Sequence, residues 1–332
     1  ALPIFPEEYG GIGGDLKDLL LISQELAYWS YDIYSAYSVP LYTALTLLKI
    51  GSEDQKKKFL PSLMDGSIRL STSISEPSAG SDVSAIKTIA KPVEGGWLIN
   101  GQKLWNTAAG VDKNVLQVLV RTDPDGPPRA SMSMFLVPND SPGIECRKLD
   151  MLGRRGTGTY EVFFTDVFVP AENLVGELNK GWKGLLACLQ TERVLTSAGY
   201  VGSAQKVVDI SLSYAKERTQ FGRAIGEFQV ISHMLADMQT EVDASRLLVE
   251  RAASIIINGK DAMREVSMAK LYGSETYAKI SNQGMQIFGA YGYSMEYEIQ
   301  RHLRDSRSTT VGAGSSQMQR NAIASSMGLK SQ

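Results

Sequence analysis

The stretch Gly181–Ala204, GWKGLLACLQTERVLTSAGYVGSA, predicts a helix built mainly from small and apolar residues. Between Lys183 and Lys206 the only charged residues are the neighbours Glu192 and Arg193. A carboxylate on an apolar helix face is costly to bury in its charged form. The pattern therefore indicates either a structural Glu–Arg pair or a base with a raised pKa. The residues that helical spacing places on the same face as Glu192 are Leu185, Cys188, Leu189, Leu195, Thr196 and Gly199.

The composition excludes several classes of function. The chain has 332 residues, of which 43% are hydrophobic and 21% charged, as in ordinary globular proteins of two or three subdomains. A net charge of −2 gives no general attraction to nucleic acid or acidic membranes, and no apolar run reaches the roughly 20 residues of a membrane span. His233 and His302 are too isolated to predict a metal centre or a Ser-His-Asp triad. Cys146 and Cys188 are expected to be reduced core thiols.

The N-terminal region is predicted to be helical. Asp15 is expected to cap a first helix, and Ser52 a third that ends near Asp65. Between them lies the apolar run Tyr34–Ile50, in which Pro40 is expected to mark a break or a helix start. The opening residues ALPIFPEEYGGIGGD lack a basic stretch followed by an apolar core, so no secretory signal is predicted.

From about residue 69 the pattern changes to short β-type runs separated by Gly, Pro, Asp and Asn turns. A hairpin turn is expected at Glu94-Gly95-Gly96. The region lacks the long alternating helices of a doubly wound sheet, so it predicts a compact β domain. The runs are Ser71–Ser75, Ala85–Val93, Gly96–Ile99, Val115–Arg121, Ser131–Pro138 and Glu161–Val169.

After Pro170 the chain is predicted to form an antiparallel helical bundle. No GxGxxG motif follows a strand and opens a helix, so a nicotinamide-binding Rossmann site is not supported. The whole pattern predicts a mostly α protein with a central β domain, divided at residues 1–68, 69–172 and 173–332. The expected bundle helices are Gly181–Glu217, Gly226–Ile257, Asp261–Phe288 and Ser315–Met327.

Four stretches have residue types that could bind a ligand. Thr72–Asp82 is rich in hydroxyl and glycine residues that allow close backbone approach, and Trp105-Asn106-Thr107 could stack on a planar ring. Glu217–Gln229 offers a guanidinium and an aromatic ring. The pair Gln286–Gly292 and Arg304–Arg320 places backbone donors before a helix N-terminus. Each also has a structural interpretation: a polar loop, a core tryptophan, a solvated turn and a flexible loop before a capped helix.

Taken together and in order, these stretches resemble the acyl-CoA dehydrogenase family over essentially the whole chain. The resemblance implies an N-terminal helical domain, a β-barrel or sandwich middle domain and a C-terminal four-helix bundle. Family members usually carry further helices before the first motif, so part of the helical domain is expected to be missing. The motifs are PEEYGG (6–11), SEPSAGSD (75–82), INGQKLWNT (99–107), RTQFGRAIGEFQ (218–229), QIFGAYGY (286–293) and GAGSSQMQR (312–320).

The resemblance also implies FAD as the cofactor, bound partly across a subunit interface. One departure is Thr72, since an aromatic residue is common at that position in the family. The central β domain is expected to contribute Thr72, Ile74, Ser75, Ser81, Trp105, Asn106 and Thr107 to the flavin site. The bundle is expected to contribute Arg218, Phe221, Gln229, Gln286, Phe288, Gly289, Ala290, Ser315 and Gln317.

A second departure concerns the catalytic base. Many family members carry a glutamate just before the glycine of the last motif, where this chain has Ala313. In isovaleryl-CoA and long-chain members the base comes from a Glu-Arg pair on a bundle helix, which here is Glu192-Arg193. Proton abstraction from a thioester α-carbon requires a desolvated carboxylate. Glu192 is therefore the predicted base, and the thioester site is expected to include Ser81, Gln190, Arg193, Ala313 and Gly314.

The resemblance predicts an enzyme that converts an acyl-CoA to its trans-2-enoyl-CoA and passes electrons to an electron-transfer flavoprotein. A short or branched acyl group is favoured, and an acyl carrier protein thioester stays open. A homotetramer is expected, with a dimer as the alternative, in the cytoplasm of a bacterium or the mitochondrial matrix of a eukaryote. Alternative functions are a flavin monooxygenase or oxidase, and a non-catalytic subunit that pairs with an active paralogue.

Overall fold

The computed structural model describes residues 4–329, and their helices and strands follow the predicted order of helical, β and helical regions. The α-helices are α1 (Leu16–Trp29), α2 (Tyr31–Ile50), α3 (Glu53–Met64), α4 (Gly181–Glu217), α5 (Gln229–Ile257), α6 (Met263–Phe288), α7 (Ile299–Ser306) and α8 (Ser316–Ser326). The strands are β1 (Arg69–Ser73), β2 (Ile89–Val93), β3 (Gly96–Thr107), β4 (Asn114–Arg121), β5 (Met132–Pro138), β6 (Ile144–Leu149), β7 (Thr159–Pro170), β8 (Leu174–Val175), β9 (Thr219–Gln220) and β10 (Arg223–Ala224).

The described chain divides into two compact units. The first comprises residues 4–15, 35–151 and 155–189, and the second comprises residues 16–34, 152–154 and 190–329. The division at 1–68, 69–172 and 173–332 stays a prediction.

The first unit is built on a mixed eight-stranded sheet. Its strands run in the order β6-β7-β3-β2-β4-β5-β8, and β1 pairs in parallel with β4. Buried apolar side chains from β2, β3, β4, β5 and β7 form the core of this unit, and they include Val118, Phe135 and Val162. The sheet is the predicted central β domain, and its β2–β3 turn is the predicted hairpin.

Several strand boundaries differ from the prediction. We expected a strand from Ala85, but Asp82 accepts a hydrogen bond from Ser84 N and begins a short 3-10 turn, so β2 starts at Ile89. The expected run Gly96–Ile99 continues to Thr107, with bulges that break the alternating pattern. Strand β6 was not predicted, because it is an edge strand with mostly exposed or partly exposed side chains.

The second unit is helical, and α4, α5 and α6 pack against one another. Gln205 of α4 hydrogen bonds to Gln239 of α5, and a Cβ at Gly284 of α6 would lie 2.9 Å from Val207 of α4. Helix α1 packs so closely on α4 that a Cβ at Gly202 would lie 2.0 Å from the carbonyl oxygen of Gln24. The small residues of the α4 sequence therefore allow close helix packing.

Three helix predictions need correction. Pro40 neither breaks nor starts a helix, because α2 continues through it from Tyr31 to Ile50. The expected start at Gly226 is a 3-10 turn, and α5 begins at Gln229. Helix α7 was not predicted, because its eight residues are too few to give a clear apolar period.

Three further findings concern membrane spans, metal clusters and the two cysteines. Within residues 4–329, no helix is long and apolar enough to cross a membrane. The same residues contain no cluster of His, Cys, Asp and Glu side chains suited to a metal ion. Cys146 and Cys188 do not form a disulfide; Cys188 is buried and Cys146 half-buried.

Candidate active site

The face of α4 that carries Glu192 is largely buried, as the sequence predicts. Leu195 is fully buried, and Thr196 nearly so. A Cβ at Gly199 would lie 2.6 Å from the ring of Tyr34, whose hydroxyl donates to the carbonyl oxygen of Leu195 at 3.0 Å. These contacts fix the part of the helix that follows Glu192.

Glu192 is a partly buried carboxylate without a bonding partner. Within residues 4–329, neither a hydrogen bond nor an ion pair joins its carboxylate to another residue. Desolvation raises its pKa above the ordinary glutamate value, and the charge of Arg193 opposes this only in part. The structural Glu–Arg pair is therefore not formed, because neighbouring residues on a helix point in different directions. A desolvated, unpaired carboxylate suits a general base.

Arg193 points toward the loop that precedes α8. Its Nη1 lies 3.6 Å from the sulfur of Met263, and its buried Nε has no hydrogen-bond partner in the described residues. A Cβ at Gly314 would lie 3.2 Å from Nη2, and the φ of Gly314 is +85°. Gly314 is therefore required both by its backbone conformation and by the guanidinium beside it.

The loop Gly312–Gly314 carries no carboxylate at the position where many family members have one. Ala313 is exposed and has a φ of +53°, a conformation that is costly for a residue with a Cβ. The backbone N–H groups of Ala313 and Gly314 donate to no partner within residues 4–329. Successive free N–H groups in a turn can bind an anionic oxygen. This loop can therefore polarise a carbonyl without supplying the base.

Gln190 has a role that its sequence did not indicate. Its Nε2 donates to Asp261 Oδ1 at 2.6 Å, and its Oε1 accepts from the backbone N–H of Ala262 at 2.9 Å. Both partners lie just before α6. The side chain of Gln190 therefore fixes the start of α6, and its predicted substrate contact would require it to break these bonds.

In the first unit, the predicted flavin loop follows β1 and is held to β3 by one side-chain and one backbone hydrogen bond. The carbonyl oxygen of Ile74 accepts from Lys103 Nζ at 2.9 Å, and that of Ser75 accepts from Leu104 N at 2.9 Å. Thr72 is partly buried, and its hydroxyl lies 2.9 Å from that of Thr43. Ser81 is exposed and lies beyond these contacts. Lys103 was not predicted to have any role.

Trp105 is presented at the surface by a bulge in β3. It has a φ of +65°, its side chain is 56% exposed, and the strand register shifts between Lys103 and Asn106. An exposed indole in a strained backbone position rules out the core-tryptophan interpretation. Thr107 is partly buried two residues later. The side chain of Asn106 is buried: its Nδ2 donates to the carbonyl oxygen of Tyr160, and its Oδ1 has no hydrogen-bond partner within residues 4–329.

In the second unit, the predicted Arg218–Gln229 turn is a short hairpin formed by β9 and β10. Phe221 stands at its tip with 94% of its side chain exposed and a φ of +53°. The guanidinium of Arg218 lies 5.2 Å from the ring of Tyr291. Gln229 is exposed, as are Gln286, Gly289 and Ala290 at the end of α6.

Phe288 is a buried residue at the end of α6. Its ring stacks on Tyr214 with a centroid distance of 4.2 Å, and the side chain is buried. Its side chain therefore belongs to the packing between α4 and α6. The sequence motif could not distinguish this core position from the exposed residues beside it.

A cavity of about 600 Å³ lies at the N-terminal end of α8. Ser315 and Gln317 line it, together with Lys279 and Arg307, which sequence analysis did not single out. The hydroxyl of Ser315 caps the helix by accepting from Met318 N. Lys279 is ion-paired with Glu241, so the helix N-terminus and Arg307 are the groups that favour an anion. Neither Phe221 nor Gln229 lines this cavity.

Comparisons with known proteins show the family of the chain. The models of the N-terminal, middle and C-terminal domains of acyl-CoA dehydrogenases match residues 2–67, 71–167 and 179–328. A probable acyl-CoA dehydrogenase, YngJ of Bacillus subtilis, is 40% identical over 324 residues, which cover 96% of this chain and 84% of the relative. Subunit CarC of the caffeyl-CoA reductase-Etf complex of Acetobacterium woodii is 37% identical over 321 residues, which cover 96% of this chain and 84% of that subunit.

Among solved structures, butyryl-CoA dehydrogenase from Megasphaera elsdenii superposes with a TM-score of 0.94 at 32% identity, covering 98% of this chain and 86% of that one. The chain belongs to the acyl-CoA dehydrogenase family. Members of this family are FAD-binding oxidoreductases, so the predicted fold, enzyme class and cofactor are confirmed.

The residues of the α8 cavity fit the diphosphate group of FAD. Ser315 and Gln317 offer hydrogen-bond donors, and Arg307 and the helix N-terminus offer positive charge. The acidic residue of the lining, Glu275, is held by two hydrogen bonds from Arg320, which neutralise it. The donor set therefore suits an anion of high charge.

Replacing Arg307 with alanine should weaken FAD binding about tenfold to a hundredfold, because one charged contact to the diphosphate is lost. The measurement is titration of the apoprotein with FAD at two salt concentrations, and the difference should shrink at high salt. Arg155→Ala serves as the control, since Arg155 is exposed, pairs with Asp150 and does not line the cavity. Equal FAD affinity of the Arg307 variant and the wild type would contradict this use of the cavity.

Proposed function

We propose that this protein removes the α-proton and the β-hydride of an acyl-CoA thioester, giving the trans-2-enoyl-CoA. Glu192 takes the α-proton. The bound flavin supplies the acceptor for the hydride. In the second unit, the cavity at the N-terminal end of α8 offers an anion site for the diphosphate of FAD.

The observation that carries the proposal is the state of Glu192. It is desolvated, has no bonding partner within residues 4–329 and has a raised pKa. Ala313, at the usual position of the base, cannot accept a proton. A base with a raised pKa is better matched to a weak carbon acid than an ordinary carboxylate. This supports assignment of the base to α4.

The thioester carbonyl is polarised by the loop before α8. The N–H groups of Ala313 and Gly314 are free to donate, and Arg193 adds a positive charge beside Gly314. Donors that are already oriented stabilise the enolate-like charge that develops as the α-proton leaves. The loop therefore lowers the barrier for the proton transfer to Glu192.

The proposed partners rest on similarity to family members. We propose an electron-transfer flavoprotein as the electron acceptor, supported by the similarity to the Etf-complex subunit CarC. We propose a homo-oligomer in which the exposed hairpin that carries Phe221 reaches the FAD of a second copy, because the hairpin does not line the cavity of its own chain. The proposed location is the cytoplasm of a bacterium or the mitochondrial matrix of a eukaryote.

The proposed substrate is a short or branched acyl-CoA, because placing the base on the bundle helix resembles the isovaleryl-CoA type. The test is anaerobic bleaching of the flavin by linear, branched, cyclic and aromatic acyl-CoAs, without added nicotinamide. Rapid bleaching by a short or branched member supports the proposal, and slow reoxidation in air distinguishes a dehydrogenase from an oxidase. Absence of bleaching by every thioester would reject it in favour of a monooxygenase or a non-catalytic subunit.

The pH dependence of the reductive half-reaction should reflect the raised pKa of Glu192. The base acts only when deprotonated, so the bleaching rate should rise with pH along a limb centred above the ordinary glutamate pKa. The folding linkage has the opposite sign: the folded state holds this proton more tightly than the unfolded state, so stability falls as pH rises between the two pKa values. Stopped-flow rates and urea unfolding across pH test the two effects separately, with Glu192→Gln as the control that should lack both.

A further inference from the structure

Lys270 is a completely buried lysine whose function is not explained by the proposed reaction. It lies in α6, and its Nζ donates to the carbonyl oxygens of Thr309 at 2.9 Å and Gly314 at 2.7 Å. No carboxylate forms an ion pair with it within residues 4–329. Burying an ammonium group without a carboxylate partner costs free energy of folding. A purely structural role would therefore not explain why a lysine occupies this position.

Gln319 binds the same loop from α8. Its Nε2 donates to the carbonyl oxygen of Gly314 at 2.9 Å and lies 3.4 Å from that of Ala313, and the side chain is fully buried. The carbonyl oxygen of Gly314 therefore accepts two hydrogen bonds from buried donors, while the N–H groups of Ala313 and Gly314 have no partner in the described residues.

The contact of Gln319 with the carbonyl oxygen of Ala313 orients the free N–H of Gly314, whereas the bonds from Lys270 and Gln319 to the carbonyl oxygen of Gly314 fix the next peptide unit and so anchor the turn. Within one planar peptide unit the C=O and N–H groups point in opposite directions. Fixing the carbonyl of Ala313 toward Gln319 turns the N–H of Gly314 to the opposite side. Ala313 and Gly314 both have positive φ, a costly arrangement for Ala313 that persists only where surrounding contacts hold it.

We propose that Lys270 and Gln319 are positioning residues that hold the Ala313–Gly314 turn with its free N–H groups directed at the thioester carbonyl of the substrate. The inference rests on the proposed function, because it assigns that carbonyl as the ligand of the turn. Neither residue touches the substrate. Both act through the carbonyl oxygens of the loop.

The charge of Lys270 adds to the effect. Lys270 and Arg193 both approach the Gly314 segment: Lys270 contacts its carbonyl oxygen, and the Arg193 guanidinium lies near its Cα. Desolvation, followed by the charge of Arg193, lowers the pKa of Lys270 to about 8. The residue therefore stays mainly protonated at neutral pH, and its charge favours an enolate over a neutral thioester.

The test uses a ligand that shows carbonyl polarisation without turnover. Acetoacetyl-CoA has an acidic α-proton, and its enolate has an absorbance of its own, so its binding to the flavin-loaded protein can be followed at fixed pH. Free CoA lacks the acyl carbonyl and is the control ligand. The variants are Lys270→Met, which removes both donors and charge, and Gln319→Leu, which removes donors only.

We expect Lys270→Met to weaken binding of the acetoacetyl-CoA enolate roughly tenfold or more, and Gln319→Leu to weaken it less, with CoA affinity and flavin content unchanged. Unchanged enolate affinity in a variant that retains its flavin overturns the inference. Should Lys270→Met fail to fold, Gln319→Leu carries the test alone, and unchanged enolate affinity there overturns it.

The proposed function is tested separately. If the wild-type protein binds the enolate but no acyl-CoA bleaches its flavin, the proposed dehydrogenation is wrong. Enolate binding by the variants then still decides whether Lys270 and Gln319 position the loop. Normal bleaching of the wild type together with unchanged enolate binding by both variants rejects the positioning role alone.

Discussion

Replacing Glu192 with glutamine should nearly abolish flavin bleaching by acyl-CoA, with a fall in rate of roughly 10²- to 10⁴-fold. Glutamine keeps the size of the side chain but cannot accept the α-proton. Glu192 forms no ion pair or hydrogen bond within residues 4–329, so its replacement should leave the fold and the flavin in place. Anaerobic stopped-flow reduction of the flavin-loaded variant measures the effect.

Two controls make this result specific. Glu250 is exposed on α5, so Glu250→Gln should bleach at the wild-type rate. In the double variant Glu192→Gln with Ala313→Glu, a carboxylate returns to the position that many family members use. We expect part of the rate to return, because the backbone at Ala313 already has the positive φ that the new residue must adopt. Bleaching by Glu192→Gln at the wild-type rate would refute the assignment of the base.

Replacing Lys103 with methionine should lower the free energy of unfolding by about 3–5 kcal/mol, because it leaves a buried carboxylate unpaired. Lys103 is fully buried and its Nζ lies 2.9 Å from Glu76 Oε1. Desolvation opposes ionisation of Glu76, but Lys103 and the hydrogen bonds from Thr88 and Lys87 hold its pKa below the ordinary value. The variant should also lose FAD more readily, since Lys103 holds the carbonyl oxygen of Ile74.

Urea unfolding and FAD titration of the same samples measure both effects. Adding Glu76→Gln to Lys103→Met should recover part of the stability, because no charge is then left buried. The exposed pair of Arg147 and Glu145 is the matched control, and Arg147→Met should cost no more than about 1 kcal/mol. A loss at Lys103 as small as that at Arg147 would contradict this account of the buried pair.

The sequence was sufficient for features that depend on local pattern. The helix Gly181–Glu217, the β-type runs of the central region and the Ser52 cap of α3 follow from spacing and residue type, and the structure has all three. The absence of a carboxylate at Ala313 and its presence at Glu192 can likewise be read directly from the chain. These properties need no knowledge of which distant residues meet.

The tertiary structure decided which side chains of the motifs are buried and which are exposed to a ligand. Asn106 and Phe288 belong to motifs that resemble a cofactor site, but their side chains are packed into the interior. Gln190 is engaged at the start of α6, and Pro40 lies within a helix that its residue type would be expected to interrupt. A motif states which residue types are present, whereas burial depends on the elements that pack against them.

Sequence analysis also did not identify the residues that support the candidate site. Lys270 contacts Gly314, and Lys103 contacts Glu76, across separations of 44 and 27 residues. A lysine within an amphipathic pattern is ordinarily read as a solvated residue, and only the folded chain shows that these two are buried. The sequence by itself determined the family and placed a carboxylate on an apolar helix face. Only the tertiary structure decided that Glu192 is desolvated and unpaired, because desolvation and pairing are set by long-range packing.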